Sequence, residues 1–279
     1  MAGMLYICAT PIGNLEDITL RTLRILKEAD LIAAEDTRHS IKLLNHFEIQ
    51  TPMTSYHEFN KYDKAKILVE KMLAGTKIAL ITDAGTPAIS DPGEELVRQC
   101  LEAGVPVTSL PGPSAFVTAL TLSGKKTRRF CFEAFLPYDK KEREEVLAEL
   151  KKETRTILLY EAPHKLKKTL ADLYEALGDR PVSIVKELTK KYETNYQTTI
   201  GAAIAYYEEE EPRGEYVLVI EGMDREILKE KEMQPFLEMT IPEHVQYYMN
   251  QGMDKKSAMK QTAKDRGVGK RDIYQALLE

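Results

Sequence analysis

Residues 77–103 read KIALITDAGTPAISDPGEELVRQCLEA, and they indicate the fold class most directly. Its apolar run, 77–82, predicts a buried strand, and residues 94–103 have the spacing of a helix. Asp91, followed by Pro92 and Glu94, is typical of a helix N-terminus. A strand, a loop of small residues and a helix in this order are the repeating unit of a parallel sheet covered by helices.

The same unit recurs through the first half of the chain. Its predicted strands are residues 4–9, 31–35, 77–82 and 105–110. Its predicted helices are residues 19–29, 41–47, 60–74, 94–103 and 114–122. We therefore expect an N-terminal α/β domain over residues 1–123.

The polar, basic stretch 124–129 interrupts this pattern, and we interpret it as a linker. A second α/β domain is predicted over 130–224. Its predicted strands are residues 129–133, 156–160, 182–187 and 215–221, with a possible extra strand at 196–200, and its predicted helices are 141–152, 163–178 and 202–210. Residues 225–279 are predicted to form a linker and a small C-terminal module like a helix-turn-helix, with helices at 243–250, 255–266 and 270–278.

The composition is that of a globular protein, with 279 residues, 43% hydrophobic and 30% charged. The formal net charge of −5 argues against a nonspecific polyanion binder but permits local basic patches. Cys8, Cys100 and Cys131 have no metal or disulfide spacing, so buried free thiols are expected. No secretory signal and no membrane-length apolar run is found, so we expect a cytoplasmic protein.

Four loops follow the predicted strands of the first half, at residues 10–17, 35–38, 83–93 and 111–115. Each alone could be a turn or a helix cap, but the carboxyl ends of parallel strands meet at one sheet edge, where ligands bind. The P-loop and GxGxxG phosphate motifs are absent. We therefore expect a largely uncharged cofactor, bound by backbone groups and small apolar side chains. The five histidines show no zinc-site spacing, and no metal is expected.

Seven motifs occur in order, and together they resemble the RNA-modifying branch of the tetrapyrrole methylase superfamily. They are residues 10–19, 34–38, 82–93, 111–115, 132–137, 160–165 and 186–190, and the match spans about 4–221. The resemblance implies two α/β domains with S-adenosyl-L-methionine in the cleft between them, and a homodimer. It also implies 2′-O-methylation of the ribose of a cytidine in the decoding region of 16S ribosomal RNA, so that ribosomal RNA or the assembled small subunit is the expected partner.

The resemblance also implies which residues contact the cofactor. In the first domain they are Pro11, Asp83, Gly85, Thr86, Pro87, Ala88, Ile89, Ser114 and Ala115; in the second domain they are Tyr160, Glu161, Leu188 and Glu215.

Methyl transfer to a hydroxyl needs a group that takes its proton. Glu35, Asp36, Glu161, Lys186 and Glu187 are the candidates near the cleft, and we favour Lys186 or Asp36 for this role, with Glu187 beside them. Asp36 with Arg38, and Lys186 with Glu187, could equally be structural ion pairs. The residues expected to contact RNA are Arg38, Lys125, Lys126, Arg128, Arg129 and Lys165.

Two other functions fit the same pattern. A tetrapyrrole methyltransferase, acting on a porphyrin or corrin precursor, would share the cofactor loops but would not need the basic linker or the C-terminal helices. A ligand-sensing regulator with a helix-turn-helix tail is the third reading. The ionisable groups at the expected cleft favour an enzyme over a sensor.

Overall fold

A computed structural model of the chain describes residues 3–278, except for the side chain of Glu232. The described residues form two compact units. One comprises the chain up to Leu150 together with Arg155–Glu221, and the other comprises Lys151–Thr154 together with the chain from Gly222 onward. The first unit contains two five-stranded sheets, and the second is helical.

The first sheet is parallel throughout, as the repeated strand, loop and helix units predict. Its strands are β1 (Met4–Cys8), β2 (Leu31–Ala34), β3 (Met53–Ser55), β4 (Lys77–Ile81) and β5 (Val107–Leu110). Their order is β3-β2-β4-β1-β5, with Leu5 opposite Ile78 in the central pair. From β1 the chain runs to β2 and β3 on one side, and from β4 it crosses to β5 on the other. The connections thus leave the adjacent strands β1 and β4 in opposite directions, and such a switch point leaves a crevice at the carboxyl ends of the strands.

Five helices and one 3₁₀ turn accompany this sheet. The 3₁₀ turn is Leu15–Asp17, and the helices are α1 (Leu20–Glu28), α2 (Thr37–His46), α3 (Lys61–Leu73), α4 (Gly93–Glu102) and α5 (Ala115–Leu122). Helices α3 and α4 cover one face, where Leu68, Met72 and Leu96 are buried. Helices α1 and α2 cover the other face, where Leu26 and Leu44 are buried. Both faces are therefore dry, which explains why the strands are continuous apolar runs.

The second sheet is mixed. Its strands are β6 (Phe130–Phe132), β7 (Thr156–Glu161), β8 (Pro181–Lys186), β9 (Thr194–Thr199) and β10 (Tyr216–Ile220), in the order β6-β7-β10-β8-β9. Only the β6–β7 pair is parallel. Its helices are α6 (Lys140–Leu150), α7 (Pro163–Leu177) and α8 (Ile200–Glu209).

The two faces of this second sheet pack against different parts of the chain. One face carries Leu159, Ile184 and Leu218, which are buried with residues of α6, α7 and α8. The other face carries Leu158 and Val217, which pack against α5 and Ile12 from the first half of the chain. The strand alternation thus turns one set of side chains toward the helices and the other toward the first sheet's domain.

The helical unit contains α9 (Arg225–Glu238), α10 (Ile241–Asn250), α11 (Lys255–Arg266) and α12 (Lys270–Ala276). Thr240 and Glu243 form a capping box at the start of α10, and Gly267 ends α11 in the left-handed conformation. Val245, Ala258, Ala263 and Ile273 form its small core. Helix α9 contains Pro235 and was not predicted, because its apolar residues are too scattered to show a helical period.

The predicted fold class, two α/β parts and a small C-terminal helical module, is confirmed. The three cysteines are buried, as expected, and none of them forms a disulfide within residues 3–278. Strand β3 was not predicted, since three half-buried residues after Pro52 give no apolar run. No helix in residues 3–278 is long and apolar enough to span a membrane.

Candidate functional site

The loops after β1 and β4 are joined directly at the carboxyl edge of the first sheet. The backbones of Thr10 and Gly85 exchange two hydrogen bonds, of 2.9 and 3.1 Å. The buried Thr10 hydroxyl donates to the Thr82 carbonyl at 3.1 Å. Thr86 in turn donates from Oγ1 to the Pro113 carbonyl in the loop after β5 (2.9 Å). These contacts join three of the four predicted loops into one rim, and the fourth is joined to it by the Asp36 N–H, which donates to Asp83 Oδ1 at 3.3 Å.

The loop after β4 is held in an uncommon conformation. Gly85 has φ of +87°, and Ala88 and Ser90, which are not glycines, also have positive φ, of 70° and 63°. Asp91 stabilises this path, because its Oδ1 accepts hydrogen bonds from the backbone N–H groups of Ala88 (2.9 Å) and Gly93 (2.7 Å). Backbone strain of this kind clusters at ligand sites, where the surrounding structure enforces it.

A cavity of about 510 Å³ opens between this rim and the second sheet. Nine of the thirteen residues expected to bind the cofactor line it: Gly85, Thr86, Ile89, Ser114, Ala115, Tyr160, Glu161, Leu188 and Glu215. Pro11 and Asp83 line an adjoining cavity instead, and Pro87 and Ala88 line neither of the two. The first cavity is mainly apolar and is large enough for a nucleoside-sized ligand.

Residues that the sequence analysis missed complete the wall of the first cavity. They are Ile12, Ala84, Phe135, Ala162, Pro163, His164, Val185, Tyr216 and Val217. Six of them lie inside the motifs given above, so the motif positions were informative even where the single residue was not named. Val185 and Val217 were hidden because an apolar strand does not reveal which of its faces meets a cavity.

Two side chains of β7 are fixed at this cavity by hydrogen bonds. The Glu161 side chain, in a residue only 4% exposed, accepts from the Ala162 N–H at 2.7 Å and from the Thr169 hydroxyl. The Tyr160 hydroxyl accepts from the Phe116 N–H at 3.3 Å, and burial raises the pKa of Tyr160. The Glu161 carboxylate is thus held by the first turns of α7 and forms a fixed part of the cavity wall.

The second cavity, of about 400 Å³, adjoins the first and shares Ile12, Ala84 and Glu215 with it. Its remaining wall differs from that of the first cavity in carrying several basic side chains among apolar and polar ones. The rest of the wall consists of Thr10, Pro11, Gly13, Leu15, His39, Ser40, Lys42, Leu43, His46, Thr82, Asp83 and Lys190. Sequence reasoning missed the α2 residues of this wall, although the spacing of 39, 42, 43 and 46 is that of one helix face.

A tight turn of the second sheet closes against the first loop. A Cβ at Gly13 would come within 2.5 Å of Lys190 Cγ and 2.9 Å of Thr189 Oγ1, so only glycine fits there. Lys190 Nζ lies 3.0 Å from Glu187 Oε1 and 2.8 Å from Glu215 Oε2. Burial alone would raise the pKa of Glu187, but the hydrogen bonds from Lys190 and the Glu215 N–H outweigh it, and the pKa lies below its ordinary value.

The favoured proton acceptors lie at different distances from these cavities. Asp36 caps α2 and forms an exposed bidentate pair with Arg38, whose hydrogen bonds lower the pKa of Asp36. Lys186 lines neither cavity: it follows Val185 in β8 and so shares the opposite face of the sheet with Ile184. Glu187 is occupied by Lys190 and by the Glu215 N–H (3.0 Å).

The residues expected to contact RNA differ in how far their side chains are exposed. Lys126, Arg128 and Arg129 are exposed, and Arg38 has 89% of its side chain exposed. Lys125 is less available, since its side chain is only 13% exposed and its Nζ lies 3.7 Å from Glu221 Oε2. Lys165 places Nζ 3.3 Å from the centre of the Tyr138 ring, a cation–π contact. Within residues 3–278 no group of three or more His, Cys, Asp and Glu side chains is arranged to hold a metal ion.

The model of the family "Tetrapyrrole (Corrin/Porphyrin) Methylases" matches residues 4–204 of the chain. These include β1 to β9 and all residues of the two cavities except Glu215, Tyr216 and Val217. The chain belongs to the tetrapyrrole methylases. Among its curated relatives is "Ribosomal RNA small subunit methyltransferase I" of Halalkalibacterium halodurans, 49% identical over 98% of this chain and 93% of that protein. The protein with the same name from Bacillus subtilis is 47% identical over 98% of this chain and 94% of its own length.

Solved structures agree on the fold. Uroporphyrin-III-C-methyltransferase from Thermus thermophilus superposes with a TM-score of 0.56 over 78% of this chain and 94% of the other, at 19% identity. At this identity the likeness concerns the fold alone.

As a tetrapyrrole methylase the chain is a methyltransferase, and its cofactor is S-adenosyl-L-methionine. The first cavity fits this molecule on three counts. Its volume suits a nucleoside with an amino-acid tail, its walls are small and apolar with few charged groups, and the positive φ of Gly85 exposes backbone where a ligand can approach.

Proposed function

We propose that this methyltransferase methylates the ribose 2′-hydroxyl of a cytidine in the decoding region of 16S ribosomal RNA. The observation that carries the proposal is the pair of full-length relatives at 49% and 47% identity, both named for the ribosomal RNA of the small subunit. The motifs at residues 82–93 and 186–190 support it, because they resemble the RNA-modifying branch of the family. The reaction would take place in the cytoplasm, on the assembled subunit or its RNA.

We propose that the first cavity holds the cofactor through the residues of its rim and of the second sheet. Gly85, Thr86 and Ile89 would contact it from one side and Tyr160, Glu161 and Leu188 from the other, with Ser114, Ala115 and Glu215 at the edges. Asp83 and Pro11 would support the rim, and Pro87 and Ala88 would fix the loop path. When bound, S-adenosyl-L-methionine supplies an electrophilic methyl group on a sulfonium.

The contribution of the protein itself would be positioning more than covalent chemistry. In-line transfer of a methyl group demands that the acceptor oxygen approach from one direction, and a rigid rim lowers the entropic cost of that alignment. The hydrogen bonds of Asp91 and Glu161 provide this rigidity on both sides of the first cavity. The assignment of proton transfer to Lys186, Asp36 or Glu187 remains a prediction, as does the homodimer.

A tetrapyrrole methyltransferase is the alternative, and the fold alone would allow it. The basic patch around Lys126, Arg128 and Arg129 favours RNA, since a small tetrapyrrole has no use for exposed cations outside the cleft. Arg38, Lys125 and Lys165 would add to the RNA contacts.

The deciding experiment offers methyl-labelled S-adenosyl-L-methionine with three acceptors in parallel. These are small ribosomal subunits that lack the modification, free 16S RNA and uroporphyrinogen III. We expect label in RNA, recovered after nuclease digestion as 2′-O-methylcytidine by mass spectrometry. Label in the tetrapyrrole alone would overturn the proposal, and label on a base or on another nucleoside would overturn its finer part.

A further inference from the structure

The second cavity is the strongest unexplained feature of the first unit, because it opens onto the cofactor cavity and has a different kind of wall. Helix α2 begins directly after β2, and one face of it presents His39, Lys42 and His46 to the cavity. Neither Lys42 nor His46 has an ion-pair partner in the described part of the chain. Lys190 is different, because Glu187 and Glu215 already neutralise it.

An unused hydrogen-bonding group lies in the same wall. Ser40 lines the cavity and is only 4% exposed, and its hydroxyl oxygen is buried without a hydrogen-bond partner among the described residues. Buried hydroxyls in folded proteins are nearly always paired, so an orphaned one beside a cavity points to a missing ligand or water.

His39 lines the same cavity, and its imidazole is a group that can accept a proton. Its Nδ1 is 3.9 Å from Asp83 Oδ2, and this leaves the other ring nitrogen, Nε2, for a ligand. Asp83 is held in turn, since its Oδ1 accepts the Asp36 N–H at 3.3 Å. A carboxylate behind one imidazole nitrogen orients the ring and stabilises its charged form, and such pairs tighten when substrate binds.

We propose that the second cavity binds the target nucleotide of the RNA. In this assignment Lys42 and His46 contact its phosphate, and His39, oriented by Asp83, accepts the proton of the 2′-hydroxyl. The site rests on the proposed function for the identity of the hydroxyl. The three residues shared by the two cavities put the acceptor next to the methyl donor.

The proposed step is balanced. The 2′-hydroxyl proton passes to Nε2 of His39 while the oxygen forms the new O–C bond. The S–C bond of the donor breaks and leaves its electron pair on sulfur, so the sulfonium becomes a neutral thioether. The imidazolium then releases the proton to water.

The first test needs no catalysis and uses the five histidines as reporters. The ring resonances of ¹³C-labelled histidine are followed by NMR during titration with cytidine 5′-monophosphate alone, and separately with S-adenosyl-L-methionine alone. We expect the nucleotide to shift His39 and His46, and the cofactor to shift His164, which lines the first cavity. His57 and His244 line neither cavity and are the internal controls. A nucleotide that shifts His164 only, or no histidine, would overturn the site.

The second test separates binding from proton transfer with unmodified small subunits as substrate. Lys42→Ala and His46→Ala should raise KM about tenfold and leave kcat within about threefold, because they remove phosphate contacts. His39→Ala should lower kcat by about 10² to 10⁴, the usual range for a general base, with KM and cofactor affinity nearly unchanged. Added imidazole should restore part of the His39→Ala rate, and Asp83→Asn should lower kcat less than His39→Ala.

Lys71→Ala is the matched control, since Lys71 is an exposed lysine on α3 that lines neither cavity. If His39→Ala keeps its kcat while Asp36→Asn or Lys186→Ala loses it, the assignment of the proton acceptor is wrong and the earlier prediction stands. If the label appears only in a tetrapyrrole, the proposed function fails, and the nucleotide titration still reports independently on the cavity.

Discussion

The two adjoining cavities share three wall residues, yet the rest of their walls differ in chemistry. The first is lined by Gly85, Ala115, Val185 and similar small or apolar residues, and its acid Glu161 is used internally. The second is lined by α2, with His39, Lys42 and His46. The same sheet edge therefore borders two cavities. The first is apolar and suits a cofactor without phosphates, and the second has basic side chains along its α2 side.

The origin of the difference lies in the elements that follow each strand. After β4 the chain continues as a loop of small residues and prolines, so backbone and methyl groups cover the first cavity. After β2 the chain enters α2 within three residues, and a helix presents long side chains instead. Because the strands are parallel, the loop after β4 and the helix after β2 begin at the same edge of the sheet.

The largest expected effect on cofactor binding comes from filling the first cavity at Gly85. Valine there must adopt φ of +87°, and its Cβ would lie 3.4 Å from Ile12 Cγ2 in the cavity wall. Gly85→Val should weaken the binding of S-adenosyl-L-methionine at least ~100-fold, or about 2.7 kcal/mol in binding free energy, as measured by titration calorimetry. Binding of small subunits without cofactor should change less than about threefold.

Gly104→Val is the control for backbone strain. Gly104 has φ of +72°, and a Cβ there meets no heavy atom within 4 Å. This variant should lose stability but keep its cofactor affinity. Equal affinity in Gly85→Val and wild type would remove the first cavity as the cofactor site.

A smaller effect is expected from Asp91, which fixes the loop without lining either cavity. Asp91→Ala removes two backbone hydrogen bonds to a carboxylate, so we expect about 1–3 kcal/mol lower unfolding free energy and about tenfold weaker cofactor binding. Asp91→Asn keeps an oxygen acceptor and should stay within about threefold of wild type. A cofactor affinity that is equal in the alanine and asparagine variants would show that the loop path does not depend on Asp91.

The sequence predicted the edge of the sheet better than the faces of the strands. Four loops of similar chemistry after four apolar runs were enough to locate the rim, because parallel strands end together. Lys186 shows the limit, since neighbouring residues of a strand face opposite sides and only Val185 reaches the cavity. The central position of β10 in the second sheet depends on pairing between distant segments, and no local period records it.

The sequence contains a signal for the cavity-lining face of α2 that the predictions above do not use. Residues 39, 42, 43 and 46 have helical spacing, and the helix begins at a strand end, which together indicate a face turned toward the site. The predicted helix begins at residue 41, which leaves His39 in a loop, and the histidines have no zinc-site spacing that would mark them as functional. Asp36 as the cap explains the earlier start, because its carboxylate accepts the Arg38 N–H at 2.8 Å.

The smallest effect concerns Lys190, whose charge is already neutralised in the second cavity. Its removal leaves Glu187 and Glu215 without the cation that they share, so Lys190→Ala should lower the unfolding free energy by about 1–2 kcal/mol near pH 7. The pKa of Glu187 lies below its ordinary value in the folded chain. Its contribution is therefore present above the unfolded value of about 4.3 and is lost as the pH falls through the folded value.

Lys190 sets the upper limit of the same window. Its hydrogen bonds to Glu215 and Glu187 outweigh burial and raise its pKa, so its contribution persists at neutral pH and is lost only as the pH rises through that value. Denaturant unfolding at pH 7 and pH 3 should show a smaller Lys190→Ala difference at pH 3 than at pH 7, while the exposed neighbour Lys191→Ala should stay within about 0.5 kcal/mol of wild type at both. A Lys190→Ala difference in unfolding free energy of the same size at both pH values would mean that Lys190 stabilises the chain by packing against Gly13 and not through its charge in the second cavity.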